Sequence, residues 1–289
     1  MPACPITIIA DSTCDIPTEL IERYHIDVIP QIVIWGDQEL RDRVDIQPEE
    51  FYQRLSTSPQ LPTTSQPTVK SFSEHHQAAR AAGATDIVVL TVSSAMSGTY
   101  QAAQQAAQLA TVPVHVIDAK GPTMSLGWQT LAAARAREAG TDTAGIIAAA
   151  DGVRQTVVQF VYLDTLEYLY KGGRIGNATR FIGALLDLKP LVEINHQTGL
   201  VEGADRVRTR RKGIEALYQR FFEKLGAAVA TQRPLHIAVL HGDVPEDAAR
   251  LAERIRQEYQ PAELLINITG PVLGLHTGPR ALALCGYSE

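Results

Sequence analysis

Three stretches of this 289-residue chain gather small hydroxyl side chains where a strand or loop runs into a helix start. They are Asp11-Ser12-Thr13, Thr63-Thr64-Ser65-Gln66-Pro67-Thr68 and Ser93-Ser94-Ala95-Met96-Ser97-Gly98-Thr99. The unpaired N–H groups of a helix N-terminus carry about half a positive charge, so hydroxyls beside them make a seat for a carboxylate or phosphate. Gly98 lets the backbone come close to such a group. Plain helix capping explains the same residues, and Pro67 suits a first helical turn; two such loops in one domain favour a shared anion site. That chemistry is binding and needs no reaction. Ser97 has no glycine two positions upstream, so the G-x-S-x-G elbow of a serine hydrolase is missing. Lys171-Gly172-Gly173-Arg174-Ile175-Gly176 has neither the spacing of a phosphate loop nor that of a dinucleotide fingerprint, and its glycines read as a tight turn. His236 and His241 fall on opposite faces of a strand and His75-His76 diverge on a helix, so no metal site is expected. Gly270 to Pro279 has more glycine and proline than packing requires and carries one imidazole, His276.

Positioning these residues requires a scaffold, and the chain is long enough for two domains. Hydrophobic residues make up 45% of it but aromatic ones only 6%, which suits aliphatic packing in an α/β protein. Cys4, Cys14 and Cys285 form no C-x-x-C pair, as expected of reduced thiols in a cytoplasmic protein. The apolar run Ile6 to Ile9 is too short for a signal sequence, and no run approaches a membrane span. The net charge of −6 disfavours nucleic acid as a partner. It is unevenly spread. Between Lys171 and Lys212 nine Lys and Arg, among them Arg174, Arg180, Arg206 and Arg208, stand against four acids, Asp187 included. That island is either a docking face or a solvated, salt-bridged surface.

The first half alternates strands and helices: strands at Ile6 to Ala10, Asp27 to Trp35, Asp86 to Val92 and Val114 to Asp118. Helices are read at 18–24, 48–55, 69–82, 99–110, 125–139 and 143–155. Such alternation predicts a parallel sheet with helices on both faces, whose ligands bind beyond the carboxyl ends of the strands, near Asp11, Ser97 and Asp118. Further strands are expected at 160–163, 191–194, 200–204, 236–241 and 263–267, with a turn at Asn195 to Gly199 and helices at 165–170, 212–225 and 246–259. The expected organisation is two α/β domains, 1–157 and 158–289, the second with a mixed or mainly antiparallel sheet.

Taken in order, Ile9-Ala10-Asp11-Ser12-Thr13, Pro62 to Pro67, Ser93 to Tyr100, Leu166 to Ile175, Lys189-Pro190, Val207 to Arg210 and Gly270 to Pro279 resemble the DegV family across nearly the whole chain. Ala10, Leu275, Gly176 and Arg280 depart from the family's usual residues. The resemblance implies a non-catalytic bacterial protein that holds a long-chain fatty acid between its two domains, without a cofactor, metal or integral membrane association. It implies presentation of the carboxylate to a fatty acid kinase for acyl-phosphate formation, which feeds phospholipid synthesis. Carried over by position, Thr64, Ser97 and His276 hold the carboxylate. Arg174, Arg206 and Arg208, in the basic segment, are candidates for docking the partner or neutralising phosphate. The rival readings are an enzyme using Ser97 as nucleophile and His276 as acid/base, and a regulator with a structural lipid.

Overall fold

The computed structural model describes residues 5–179, 188–230 and 233–289. Cys4, Arg180 and Asp187 lie outside the described residues. In chain order the strands are Ile6–Asp11 (β1), Asp27–Ile29 (β2), Ile32–Trp35 (β3), Gln38–Arg41 (β4), Thr63–Ser65 (β5), Asp86–Thr91 (β6), Val114–Asp118 (β7) and Val158–Tyr162 (β8). Lys189–Asn195 (β9), Leu200–Val207 (β10), Leu235–His241 (β11), Glu263–Ile268 (β12) and Leu282–Ser288 (β13) follow. The helices are Thr18–Arg23 (α1), Pro48–Thr57 (α2), Val69–Ala81 (α3), Thr99–Gln108 (α4), Met124–Glu138 (α5), Thr143–Thr156 (α6), Glu167–Lys171 (α7), Arg210–Ala230 (α8), Pro245–Tyr259 (α9) and Pro271–Thr277 (α10).

Strands β2-β1-β6-β7 form an all-parallel sheet. Its central strands, β1 and β6, are almost continuously aliphatic because both faces are covered. On one face Phe72 and Ala79 of α3 and Ala102, Ala103 and Ala106 of α4 pack on Ile9, Ile87 and Val89. Helices α5 and α6 lie on the other. The core they build runs on from Ile8, Ala10, Val88 and Leu90 through Trp128, Leu131 and Ile146 to Val161, Val192 and Cys285 of the second sheet. That sheet is mixed, in the order β10-β9-β8-β13-β11-β12, with only β11 and β12 parallel. Its far face is sealed by Leu217 and Phe221 of α8 and Leu251 and Ile255 of α9. The layers are therefore helix, sheet, helix, sheet, helix, and the two α/β units share one apolar core.

Three departures from the sequence reading matter for the site. The stretch 27–35 is two strands: β2 joins the parallel sheet, and after Pro30-Gln31 the chain turns into β3, the middle of a separate antiparallel sheet β4-β3-β5. The loop at 63–65 is strand β5, with Thr64 paired to Val33. The Gly/Pro-rich segment contains helix α10, with Gly270 at its N-cap and Pro271 in its first turn, where a missing N–H costs nothing.

Candidate functional site

The parallel arrangement sends the chain out of β1, β6 and β7 at the same end of the sheet, and each exit contributes to one cavity. Thr13 follows β1, Val92, Met96 and Ser97 follow β6, and Pro122 and Thr123 follow β7. Asp11 organises the first two exits: its carboxylate accepts from Thr13 N (3.0 Å), Thr13 Oγ1 (2.6 Å), Gln31 Nε2 (3.2 Å) and Val92 N (2.7 Å). Asp118 likewise accepts from Ser94 N (3.2 Å) and Lys120 N (3.0 Å). Both aspartates are occupied in shaping loops. Thr68 caps α3 through Ser71 N (3.1 Å), so for that hydroxyl the capping account is correct.

The opposite wall is the second sheet. Gln159, Val161 and Leu163, alternate positions on and just past β8, face the cavity with Val192 and Ile194 of β9 and Val201 of β10. Leu169, Val272 and Leu273 complete a largely aliphatic lining around a cavity of about 220 Å³. Small-molecule sites are typically apolar with a few placed polar groups, as here.

Thr64, Ser97 and His276, separated widely in sequence, all line this cavity. Thr64 Oγ1 lies 3.4 Å from His276 Nε2. Ser97 Oγ is 2.8 Å from Thr99 Oγ1, which also accepts from Gln31 Nε2 at 3.0 Å. Gln66 folds over Gly98, where a Cβ would stand 2.3 Å from Gln66 Oε1. The imidazole of His276 presses on Gly172, where a Cβ would come within 2.3 Å of Nδ1, and that buried nitrogen has no partner among the described residues. Burial, with a smaller contribution from Arg174, pushes the His276 pKa down to about 4, so the ring is neutral at neutral pH. A neutral ring can donate one hydrogen bond to an anion.

Arg174 belongs to this cavity. Its Nε donates to Met96 O (3.1 Å) and Nη1 to Gly172 O (2.7 Å), bridging the β6 exit to the end of α7. Arg206 and Arg208 do not line it; both are exposed, at the end of β10 and just after it. Much of the remaining basic segment is internally paired. Arg210 meets Asp247 at 2.6 Å and Asp164 at 3.4 Å, Lys171 meets Glu167 at 2.6 Å, and Lys189 lies 4.0 Å from Asp164.

A buried charged cluster fixes α10 and hence His276. Asp15 Oδ1 accepts from Arg43 Nη2 (2.6 Å) and from Gly270 N (2.9 Å), and Arg43 Nη2 also donates to Ile268 O (2.9 Å). Asn267 Nδ2 donates to Asp15 O at 2.8 Å. Beside them Asp42 accepts from Ser12 Oγ (2.6 Å), and burial pushes its pKa up to about 7. Among the described residues no group of three His, Cys, Asp or Glu is arranged to hold a metal ion. Among the described residues Ser97 pairs with Thr99 and His276 with Thr64, and no hydrogen bond joins Ser97 to His276.

Sequence reasoning missed Gln31, Gln66, Thr123 and Gln159. Gln159 did carry a signal, as the one polar side chain in Val157-Val158-Gln159-Phe160-Val161, but it reads equally well as part of a linker.

The model of the family "Uncharacterised protein, DegV family" matches residues 5–289. The chain belongs to the DegV family. A DegV domain-containing protein of Streptomyces coelicolor is 36% identical over 280 residues, covering 96% of this chain and 97% of the relative. Among solved structures, a fatty-acid-binding DegV family protein from Thermus thermophilus superimposes with a TM-score of 0.91 at 30% identity, covering 99% of this chain and 100% of the other. DegV of Bacillus subtilis, a fatty acid binding protein, gives 0.90 at 28% identity, with 99% of each chain covered. A stearic acid-binding protein from Eubacterium ventriosum gives 0.90 at 25% identity, with 98% of each covered. These three solved structures are of fatty-acid-binding proteins. Among the described residues no helix is long and apolar enough to cross a membrane.

Proposed function

We propose that the cavity holds a long-chain fatty acid with its carboxylate at the Thr64, Ser97 and His276 end. In this reading the protein is a carrier that presents the carboxylate to a fatty acid kinase for acyl-phosphate formation. The observation that carries it is a single aliphatic cavity with those three side chains and Arg174 in its wall. Burying a methylene contributes about 0.8 kcal/mol, so a chain of about fifteen has a gross term near 12 kcal/mol before association costs. One hydrogen bond contributes only about 0.5–1.5 kcal/mol net. The tail therefore sets affinity and the polar end sets orientation, which matters if a second protein must reach the carboxylate. Arg174 serves the head group here, and Arg206 and Arg208 are left as the docking pair. The two domains, 1–157 and 158–289, meet around the ligand.

The test is calorimetry with stearic acid on Thr64→Ala, Ser97→Ala and the double variant. Each single change should weaken binding by about two- to tenfold, and unchanged affinity in all three would sink the head-group assignment. Neutral substitution of Arg206 and Arg208 should leave stearic acid affinity unaltered while lowering acyl-phosphate yield with a fatty acid kinase, most at low salt. Loss of lipid binding with normal phosphorylation would reverse that assignment.

A further inference from the structure

The cavity wall carries a polar pair that is not among the residues proposed above for the carboxylate. Gln159 lies in the middle of an aliphatic wall, 1% exposed, and its buried Oε1 has no hydrogen-bond partner among the described residues. Its Nε2 donates to Thr123 Oγ1 at 3.3 Å. Both side chains line the cavity. Thr123 sits at the N-cap of α5, yet its hydroxyl makes no capping bond, and its backbone has φ +55, a conformation unfavourable to a β-branched residue. The hydroxyl has accepted one bond from Gln159 and keeps its own proton to give. The pair thus presents one acceptor, Gln159 Oε1, and one donor, the Thr123 hydroxyl, against Val161, Ile194, Val201 and Pro122.

Register sets Gln159 apart from the end of β8 nearest α10. Leu282, which closely follows α10 and His276, pairs with Tyr162, whereas Gln159 pairs with Cys285 farther along β13. Gln159 and Leu163 face the same side of the strand with a spacing of four residues, about 13 Å at 3.3 Å per residue. A methylene chain running past Gln159 would leave a buried amide oxygen unpaired, and that costs more than the hydrogen bond contributes when made. An alcohol satisfies both partners together, since it donates to Gln159 Oε1 and accepts from Thr123.

We propose that Gln159 and Thr123 form a second polar subsite, which selects acyl chains bearing a hydroxyl remote from the carboxylate. This rests on the fatty-acid reading above and adds the class of chain. The test compares stearic acid with hydroxystearic acids carrying the hydroxyl at mid-chain, at the penultimate carbon or at the terminal carbon, by calorimetry on the unmodified protein. At least one isomer should bind about tenfold tighter than stearic acid. In Gln159→Met, and independently in Thr123→Val, the ratio of hydroxystearic to stearic acid affinity should fall to parity or invert. Stearic acid binding tighter than every hydroxy isomer in the unmodified protein would overturn the subsite and leave the fatty-acid reading standing, with the pair serving an ordered water. Failure of all four acids to bind would overturn both. The isomer series on the unmodified protein decides the question even if a variant fails to fold.

Discussion

Removing the cation from the buried acidic cluster should cost the fold more than any single change in the cavity wall. Arg43→Met retains most of the aliphatic stem and the same strained φ of +61, but leaves Asp15 and Asp42, with Asp11 close by, without their counter-charge. Breaking a buried ion pair costs about 3–5 kcal/mol. Because 22% of the Arg43 side chain reaches solvent, the lower end applies, about 3 kcal/mol. The pH dependence has a definite sign. Asp42 already has a folded pKa raised by burial from 3.8 to about 7, and loss of Arg43 raises it further. A carboxyl whose folded pKa lies above its unfolded value loses stability as pH rises between the two, so the deficit of the variant should be greatest above neutrality and shrink towards pH 4. Adding Asp15→Asn should recover most of the loss. Asparagine keeps an acceptor for Gly270 N and tolerates the left-handed φ of +47 at this position. Urea midpoints across pH, with the slope unchanged, provide the measurement. A deficit below about 1 kcal/mol at alkaline pH, or no recovery in the double variant, would refute the view that this cluster is held by its one arginine.

Other outcomes follow from the same geometry. Gly98→Ala should fold normally, with a midpoint change under about 3 °C, because the three atoms nearest the new Cβ all belong to the flexible end of Gln66; stearic acid affinity should nevertheless drop severalfold as Gln66 is pushed from the cavity wall. Arg174→Gln should raise the His276 pKa only part of the way from about 4 towards 6.5 in an NMR titration, since burial is the larger cause. A histidine depressed in the folded state makes stability fall as pH drops from its unfolded pKa through its folded one. The acid-side loss assigned to His276 should therefore span pH 6.5 to about 4 in the parent and a narrower window in Arg174→Gln. An unmoved titration would place Arg174 too far from the ring to act on it.

The parallel sheet was legible because β1, β6 and β7 are aliphatic runs followed by helical periods, and the hydroxyl residues at 11–13 and 93–99 were legible because parallel strands must exit together. Elements whose identity depends on partners were not. β4, Gln-Glu-Leu-Arg, is a polar edge strand without alternation, and β5 is three hydroxyl residues that become a strand only against β3. Pro30 falls inside the one strand expected at Asp27 to Trp35, where a proline suits an edge or bend, yet it marks the passage between two sheets. Helix α10 was signalled by Gly270-Pro271 and Gly278, but seven residues give too little periodicity to tell a helix from a turn-rich loop. At the site, Thr64, Ser97 and His276 came from the family resemblance, and the structure brings them to one cavity. Arg174 was grouped with Arg206 and Arg208 by charge along the chain, and only folding separates them. Residues 280–289 received no assignment, although they hold a central strand of the second sheet.

That strand, β13, lies between β8 and β11 and hydrogen-bonds to both. During synthesis the parallel sheet can close as soon as β7 emerges, whereas β8 must wait until Leu282–Ser288 leaves the ribosome before its inner edge is paired. Until then β9 and β10 can pair with β8, and β12 with β11, as two open pieces with unpaired inner edges. The wall of the cavity is thus finished after the parallel sheet that it faces. A nascent chain stalled or clipped before Leu282 would retain the hydroxyl loops and lose the surface that faces them, and would expose aliphatic strand edges prone to pair with other chains.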